Sequence, residues 1–429
     1  MTITIVGHGY VGLVTACVFA DFGNKVWVVG HTKEKLARLK KGDPIIFEPG
    51  LKELLQKNIK ARRIFFTDDY ENSVSESEIV FIAVGTPTKE TGEADLNAVI
   101  DVARKIGKNL KSKLTVVSCK STVPVGTNKK IETVIKRHKP KSSEFAVASV
   151  PEFLREGTGI FDTLNPDRVI IGSDSKKAIE LLIKLHQPIN GKRIITNLAS
   201  AEMIKYASNS MLATKISFAN LISFYCEKTG ANVVEVLDAV GLDNRIGRSF
   251  LYPGVGYGGS CLPKDVRAFL NTGKKLSINS KFLEAAEEIN KTAMDSFVDV
   301  VANNSPGKKI GILGLSFKPN TDDVREAPSL YIISELLKQG FEIKTYDPVA
   351  MENVKKFFEN KISFKKNPYE AVAKTDAVLV ITEWNEFKQI DLAKIKKIMN
   401  QPFVFDGRNI YEPELMKKLG FKYFSIGRP

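Results

Sequence analysis

At 429 residues, with 43% hydrophobic and 26% charged side chains, the chain has the composition of an ordinary globular protein and enough length for two or three separate cores. Its longest apolar runs, 79–84 and 377–381, are strand-sized and far too short for a bilayer span, and a glycine motif starting at residue 7 leaves no room for a secretory leader, so a cytoplasmic protein without a membrane anchor is expected. The net charge of +14 comes from lysines spread at helical spacing rather than gathered among aromatics, which argues against nucleic acid and suits a small polyanionic ligand.

In chain order, the alternation of apolar and polar residues predicts a strand over 2–6, a glycine turn, an apolar helix over 13–22 and a second strand over 25–29, which is a βαβ unit. The turn reads Gly7-His8-Gly9-Tyr10-Val11-Gly12. Glycine is needed there for the tight turn, for backbone approach of a pyrophosphate, and for packing of helix on strand. The phosphates would sit on the helix N-terminus, so dinucleotide binding is the reading that the flanking elements favour over a merely structural turn. A typical NAD site places Asp or Glu at the end of the second strand to accept hydrogen bonds from the adenosine ribose. Here that point reads Gly30-His31-Thr32-Lys33, with Lys35 following, and offers no carboxylate. His31, Thr32 and Lys33 could serve a 2′-phosphate, which leaves NADP open beside NAD, and Lys35 is counted with them among the coenzyme-binding residues.

Further strands are predicted over 63–67, 79–83, 115–119 and 145–149, with helical patterns between them, so a parallel sheet is expected. Glu152 and Arg155 follow the last of these strands, at the edge where α/β sites form, although a solvated loop charge is the plainer reading. Helical periodicity then runs over 200–230. Lys205 and Asn209 on it are four apart and share one face, where they would hold an oxygen that becomes negative; the alternative is a solvated stripe. Shorter helices over 233–240 and 265–272 bracket the segment Gly256-Tyr257-Gly258-Gly259-Ser260-Cys261-Leu262-Pro263-Lys264-Asp265.

The four cysteines, Cys17, Cys119, Cys226 and Cys261, form neither a CxxC pair nor a His/Cys cluster, so neither disulfides nor a metal site is expected. Cys17 and Cys226 fall on apolar helix faces. Cys261 lies in a glycine-rich loop before a helix, where the helix N-terminus and Lys264 would favour its thiolate and make it a nucleophile for an aldehyde. From residue 308 the strand-turn-helix theme restarts, with strands predicted over 310–313, 341–346, 377–381 and 403–405, and a helix over 328–339. The run from Asp376 echoes the one from Glu78. The whole reads as two Rossmann-like, doubly wound α/β domains joined by a long helix, divided at 1–198, 199–300 and 301–429.

Taken together, the glycine motif, Val84-Gly85-Thr86-Pro87, the run 121–127, the run 151–157, Lys205 to Asn209, the run 256–265, Gly314-Leu315-Ser316-Phe317-Lys318 and Phe405-Asp406-Gly407-Arg408 resemble the UDP-glucose/GDP-mannose dehydrogenase family over essentially the whole chain. The resemblance implies two Rossmann-like domains, a dimer formed through the central helix, NAD bound in the N-terminal domain and a sugar nucleotide in the cleft, with UDP-glucose favoured over UDP-N-acetylhexosamines or GDP-mannose. It implies a two-step oxidation through a thiohemiacetal and thioester on Cys261. Lys205, Asn209 and Asp265 would surround the reacting carbon, and Thr122 and Glu152 would serve thioester hydrolysis. Phe153, Leu154, Phe250, Tyr257 and Gly258 would line the sugar pocket, and Lys318 and Arg408 would meet the nucleotide. Arg245 would reach across the dimer, and Arg325 and Thr86 would lie at the coenzyme. Gly30, where the family usually has aspartate, is the departure. A catalytically silent binding protein, or a single-step β-hydroxyacid dehydrogenase, would not need an intact Cys261.

Overall fold

The computed structural model describes residues 1–429, which fall into two compact units, Met1–Ser208 with Arg267–Leu276, and Asn209–Val266 with Ser277–Pro429. In the first unit, strands β1 (Thr2–Val6), β2 (Lys25–Val29), β3 (Ile64–Thr67), β4 (Ile79–Ile82), β5 (Thr115–Cys119), β6 (Phe145–Ser149), β7 (Arg168–Gly172) and β8 (Lys192–Thr196) form one sheet in the order β3-β2-β1-β4-β5-β6-β7-β8. β4 and β5 are buried at every residue because helices cover both faces, which is why they read as continuous apolar runs. The helix Tyr10–Asp21 is buried from Gly12 through Ala20, so its sequence is apolar all round and carries no amphipathic stripe. The all-parallel expectation needs one correction. β7 meets β6 antiparallel, through the single pair Ser149 and Gly172, and β8 extends the sheet beyond it to a lysine- and arginine-bearing edge.

The second unit repeats the plan. Strands β9 (Lys309–Leu313), β10 (Glu342–Tyr346), β11 (Ser363–Phe364), β12 (Ala377–Val380), β13 (Phe403–Asp406) and β14 (Lys422–Ser425) form an all-parallel sheet in the order β11-β10-β9-β12-β13-β14. Six strands of each sheet thus follow the 3-2-1-4-5-6 order of a dinucleotide-binding fold. The echo between the two ends has a physical cause. Glu78 Oε2 accepts a hydrogen bond from the Thr2 amide at 3.0 Å, and Asp376 Oδ2 accepts one from the Lys309 amide at 3.0 Å. Each acid caps the free N–H at the start of the central strand just before its own strand begins. The Leu198–Thr229 helix starts in the first unit and continues into the second, where the Val233–Gly241 and Lys281–Asn304 helices follow. No helix is long and apolar enough to cross a membrane.

Candidate active site

In the first unit, β1 ends at Val6 and the chain turns through Gly7 at φ +121°, where a side chain would run into the Ala83 carbonyl. A side chain at Gly12 would likewise meet the Gly7 carbonyl, so both glycines are required for helix and strands to close together. Gly9 differs, since a Cβ there would have nothing within 4 Å. It is the N-cap of the Tyr10–Asp21 helix, and no side chain caps that end. An open backbone at a helix N-terminus is the cradle a diphosphate needs, so the residues fit a dinucleotide coenzyme.

At the ribose end, Thr32 is the N-cap of the Lys33–Lys40 helix, and Lys33 and Lys35 are exposed on its first turn. Gly30 is buried beneath the His8 ring. At the strand ends on the same side of the sheet, Thr86 donates to the Thr122 carbonyl at 2.9 Å.

Glu152 and Lys205 resolve the choice between solvated and buried charge. They are 7% and 4% exposed, with Lys205 Nζ 3.4 Å from Glu152 Oε1, while Glu152 Oε2 accepts from the Leu154 amide at 2.8 Å. Two cations lie over the Phe153 ring, Lys205 Nζ at 5.0 Å and the Arg168 guanidinium at 4.1 Å from its centre. Arg155, by contrast, is an exposed charge that forks onto Asp162. The sequence reading missed Lys120, which is 8% exposed at the end of β5. Burial pushes its ammonium down to about 8, with Glu152 opposing the shift and Lys205 adding to it. Its signal was a lysine closing an apolar strand directly before the 121–127 motif.

In the second unit, Cys261 is exposed, whereas Cys17, Cys119 and Cys226 are buried. Burial pushes the Cys17 and Cys119 thiols up to about 12, which silences them as nucleophiles. The Cys261 carbonyl accepts the Asp265 amide at 3.0 Å, which opens the Leu262–Lys275 helix and leaves the thiol at its N-terminus. Asp265 is 1% exposed. Its Oδ2 accepts from Asn209 at 2.6 Å and its Oδ1 from Lys264. Lys264 therefore salt-bridges the carboxylate of Asp265, a partner the sequence reading did not foresee.

The loop around 250–259 is fixed from several sides. Phe250 is left-handed at φ +67°, and the Gly254 amide donates to Asn220 Oδ1 at 2.8 Å. Asn290, also missed from sequence, takes the Tyr257 amide on Oδ1 at 2.7 Å and donates from Nδ2 to the Tyr257 carbonyl at 3.1 Å. A side chain at Gly258 would strike the Glu326 carbonyl, and the Gly259 amide donates to the Arg325 carbonyl at 3.0 Å. Arg408 is half-spent on this framework, donating to the carbonyls of Ile381 at 2.7 Å and Gly256 at 3.3 Å. Lys318 Nζ lies 5.5 Å from the Phe317 ring. Arg325 forks onto Asp323, and Arg245 forks onto Asp243 with its side chain 88% exposed.

Three family models match the chain in succession. The NAD binding domain of the UDP-glucose/GDP-mannose dehydrogenase family covers residues 1–190, its central domain 199–292 and its UDP binding domain 311–413. The chain is 46% identical over 430 aligned residues to the UDP-glucose 6-dehydrogenase TuaD of Bacillus subtilis (strain 168), covering 100% of this chain and 93% of that one. Its structure resembles that of a UDP-glucose dehydrogenase from the archaeon Pyrobaculum islandicum, with a TM-score of 0.93 and 33% identity over 99% of this chain and 97% of the other. It also resembles a UDP-D-ManNAc dehydrogenase from Pyrococcus horikoshii, with a TM-score of 0.87 and 28% identity over 100% and 99% of the two chains.

Proposed function

Because the chain belongs to the UDP-glucose/GDP-mannose dehydrogenase family, we propose that it is a UDP-glucose 6-dehydrogenase, oxidising C6 of UDP-glucose twice while the aldehyde stays on Cys261. The observation that carries this reading is the single exposed thiol among four, set at a helix N-terminus behind a glycine-rich loop. That position favours the thiolate.

When bound, the nicotinamide coenzyme takes up two electrons in each oxidation. Asp265, through a water molecule, accepts the proton of the C6 hydroxyl. The Cys261 thiolate adds to the aldehyde carbon, and the carbonyl oxygen becomes an oxyanion that Lys205 and the second N–H of Asn209 stabilise. Oxidation of this thiohemiacetal yields a thioester. Water held by Thr122 and Glu152 adds to it, the C–S bond breaks, and UDP-glucuronate leaves with the thiolate restored. Phe153, Leu154, Phe250, Tyr257 and Gly258 line the sugar and uridine pocket, Lys318 and Arg408 meet the nucleotide, and Arg325 and Thr86 serve the coenzyme. This division of labour follows 1–198 for coenzyme, 199–300 for catalysis and dimerisation, and 301–429 for the nucleotide.

The family's first domain binds NAD. The chain's own residues support acceptance of NADP as well, because Gly30 removes the carboxylate that would repel a 2′-phosphate. At about 4 Å and an effective dielectric of about 20 that repulsion is worth roughly 4 kcal/mol, enough to exclude NADP where an aspartate is present. A homodimer through the Leu198–Thr229 helix is supported by Met211, Phe218 and Tyr225, which recur every seven residues and are 60%, 44% and 64% exposed. Arg245 would then reach the partner's sugar. Four unbridged thiols fit a cytoplasmic setting.

The test is a panel of UDP-glucose, UDP-N-acetylmannosamine, UDP-N-acetylglucosamine and GDP-mannose, each assayed with NAD and with NADP by the absorbance of the reduced coenzyme. UDP-glucose should give the highest kcat/KM. A higher value for an acetamido sugar or for GDP-mannose would overturn the substrate assignment, and no turnover with any of them would make the chain a silent binding protein.

A further inference from the structure

The absence of a carboxylate at position 30 has a structural counterpart in the glycine motif. His8, the residue between Gly7 and Gly9, is 8% exposed and folds back over the end of β2. A Cβ built on Gly30 would lie 2.9 Å from His8 Nε2 and closer still to Cδ2, with Leu36 Cδ2 at 3.1 Å. No side chain larger than hydrogen fits at residue 30 while His8 keeps this position. The imidazole thus stands where the first atoms of a ribose-binding aspartate would stand. Its Nε2 is buried without a hydrogen-bond partner from the chain, although buried ring nitrogens are ordinarily paired. The charged and titratable groups around it are His31, whose ring centroid is 5.8 Å away, and Lys35. None is acidic. Burial first, then Lys35 and His31, hold the imidazole below its ordinary range, so at neutral pH Nε2 belongs to an uncharged ring.

We infer that His8 is the residue that sets coenzyme choice, replacing the ribose-binding carboxylate with an uncharged imidazole that gives the 2′ position of the adenosine ribose a wall without negative charge. The inference rests on the dinucleotide-binding reading of residues 7–12 and deepens the NADP proposal. Gly30 follows from His8. The two positions form one device, in which a side chain at 30 and the His8 ring in its present position compete for the same space. The ring, beside His31 and Lys35, does not repel a 2′-phosphate.

The experiment is equilibrium titration of the full-length chain with NAD and with NADP by calorimetry, with no sugar present, for the parent, Gly30→Asp, His8→Ala and the double variant. Gly30→Asp alone should bind NAD at least about tenfold more weakly, because overpacking a filled site typically costs that much or more. The double variant should bind NAD within about threefold of the parent or better, and should disfavour NADP by about a hundredfold or more through like-charge repulsion. Gly30→Asp binding NAD as well as the parent would overturn the inference, and so would a double variant that fails to recover NAD. Should Gly30→Asp not fold, the double variant is compared with His8→Ala, where tighter NAD binding and loss of NADP support the inference and an unchanged ratio overturns it. A parent chain that binds NAD but refuses NADP would overturn the inference together with the NADP proposal, whereas a parent that binds neither would sink the dinucleotide-binding reading on which both rest.

Discussion

Lys205 and Glu152 form a buried ion pair whose value to the fold is small, because desolvation of both charges offsets their attraction. Their burial makes sense as chemistry. Removing one preorganised donor to an oxyanion typically costs about 100- to 1000-fold in kcat, so Lys205→Ala should lose that much, with a lowered melting temperature as well because Glu152 is left as a buried charge without Lys205. A loss below about tenfold would return Lys205 to the solvated-stripe reading. Lys120 beside them gives a second test. Its folded-state ammonium titrates near 8 against an ordinary 10.5, so below about pH 8 both folded and unfolded chains carry the proton and the folded chain bears the cost of burying it. That cost is on the order of 3 kcal/mol and disappears as pH rises from about 8 to about 10.5, where the unfolded chain binds more protons than the folded one. Lys120→Met should therefore raise the melting temperature at pH 7, and the gain should shrink across that window. A gain that persists at pH 10.5 would show that packing, not charge, is responsible.

At the scale of residues, the accessibility of Cys261 was legible from its glycine-rich loop and the shared helix face of Lys205 and Asn209 from their spacing. His8, Lys120 and Asn290 were not. Each acts through a fold-dependent neighbour, namely Gly30 below the imidazole, Glu152 beside the ammonium and Tyr257 opposite the amide. No sequence pattern announces such a pairing. The same holds for Lys264, whose partner turned out to include Asp265.

Among the elements, the loop before Cys261 is the one whose shape the chemistry needs and whose backbone has least regular structure. Asn290, reaching from the Lys281–Asn304 helix, closes both polar groups of Tyr257, so one side chain fixes the backbone four residues before Cys261. Asn290→Ala would leave a buried amide and carbonyl unpaired, at about 1–3 kcal/mol each. The expected result is a melting temperature lowered by several degrees together with a kcat/KM reduced more than the KM for coenzyme is raised. Unchanged kcat/KM in a destabilised variant would assign Asn290 to the fold alone. β1, β2, β5 and β6 were read from sequence to the residue because each is a five-residue run dominated by apolar and β-branched side chains. β7 and β8 were missed. Their apolar cores are short, Val169-Ile170-Ile171 and Ile194-Ile195, and arginine or lysine flanks them where the sheet meets solvent. The antiparallel join between β6 and β7 rests on one pair, which no periodicity encodes.

For the whole molecule, the shared strand order of the two sheets explains why the sequence repeats its punctuation. Gly7 and Gly314 both follow the first strand at positive φ, and Glu78 and Asp376 both cap it. The repeat diverges where function does. Asp347 follows β10 as Gly30 follows β2, but its carboxylate is consumed by the amides of Leu315, Ser316, Val349 and Ala350, so it shapes its own loop. Assembly is a separate question from fold. If the exposed stripe on the Leu198–Thr229 helix is the dimer face, Phe218→Asp should convert a dimer to a monomer in sedimentation equilibrium, and an unchanged mass would place the interface elsewhere.

The claim on which the mechanism turns is that one thiol holds the sugar through two oxidations. It is tested most directly by supplying limiting UDP-glucose with excess NAD and counting reduced coenzyme per sugar consumed, for the parent chain and for Cys261→Ala. The parent should reduce two coenzymes per sugar and yield only the acid, because Cys261 retains the aldehyde, and Cys261→Ala should form no acid. One coenzyme per sugar with free aldehyde from the parent, or acid from Cys261→Ala at the parent's rate, would contradict the account.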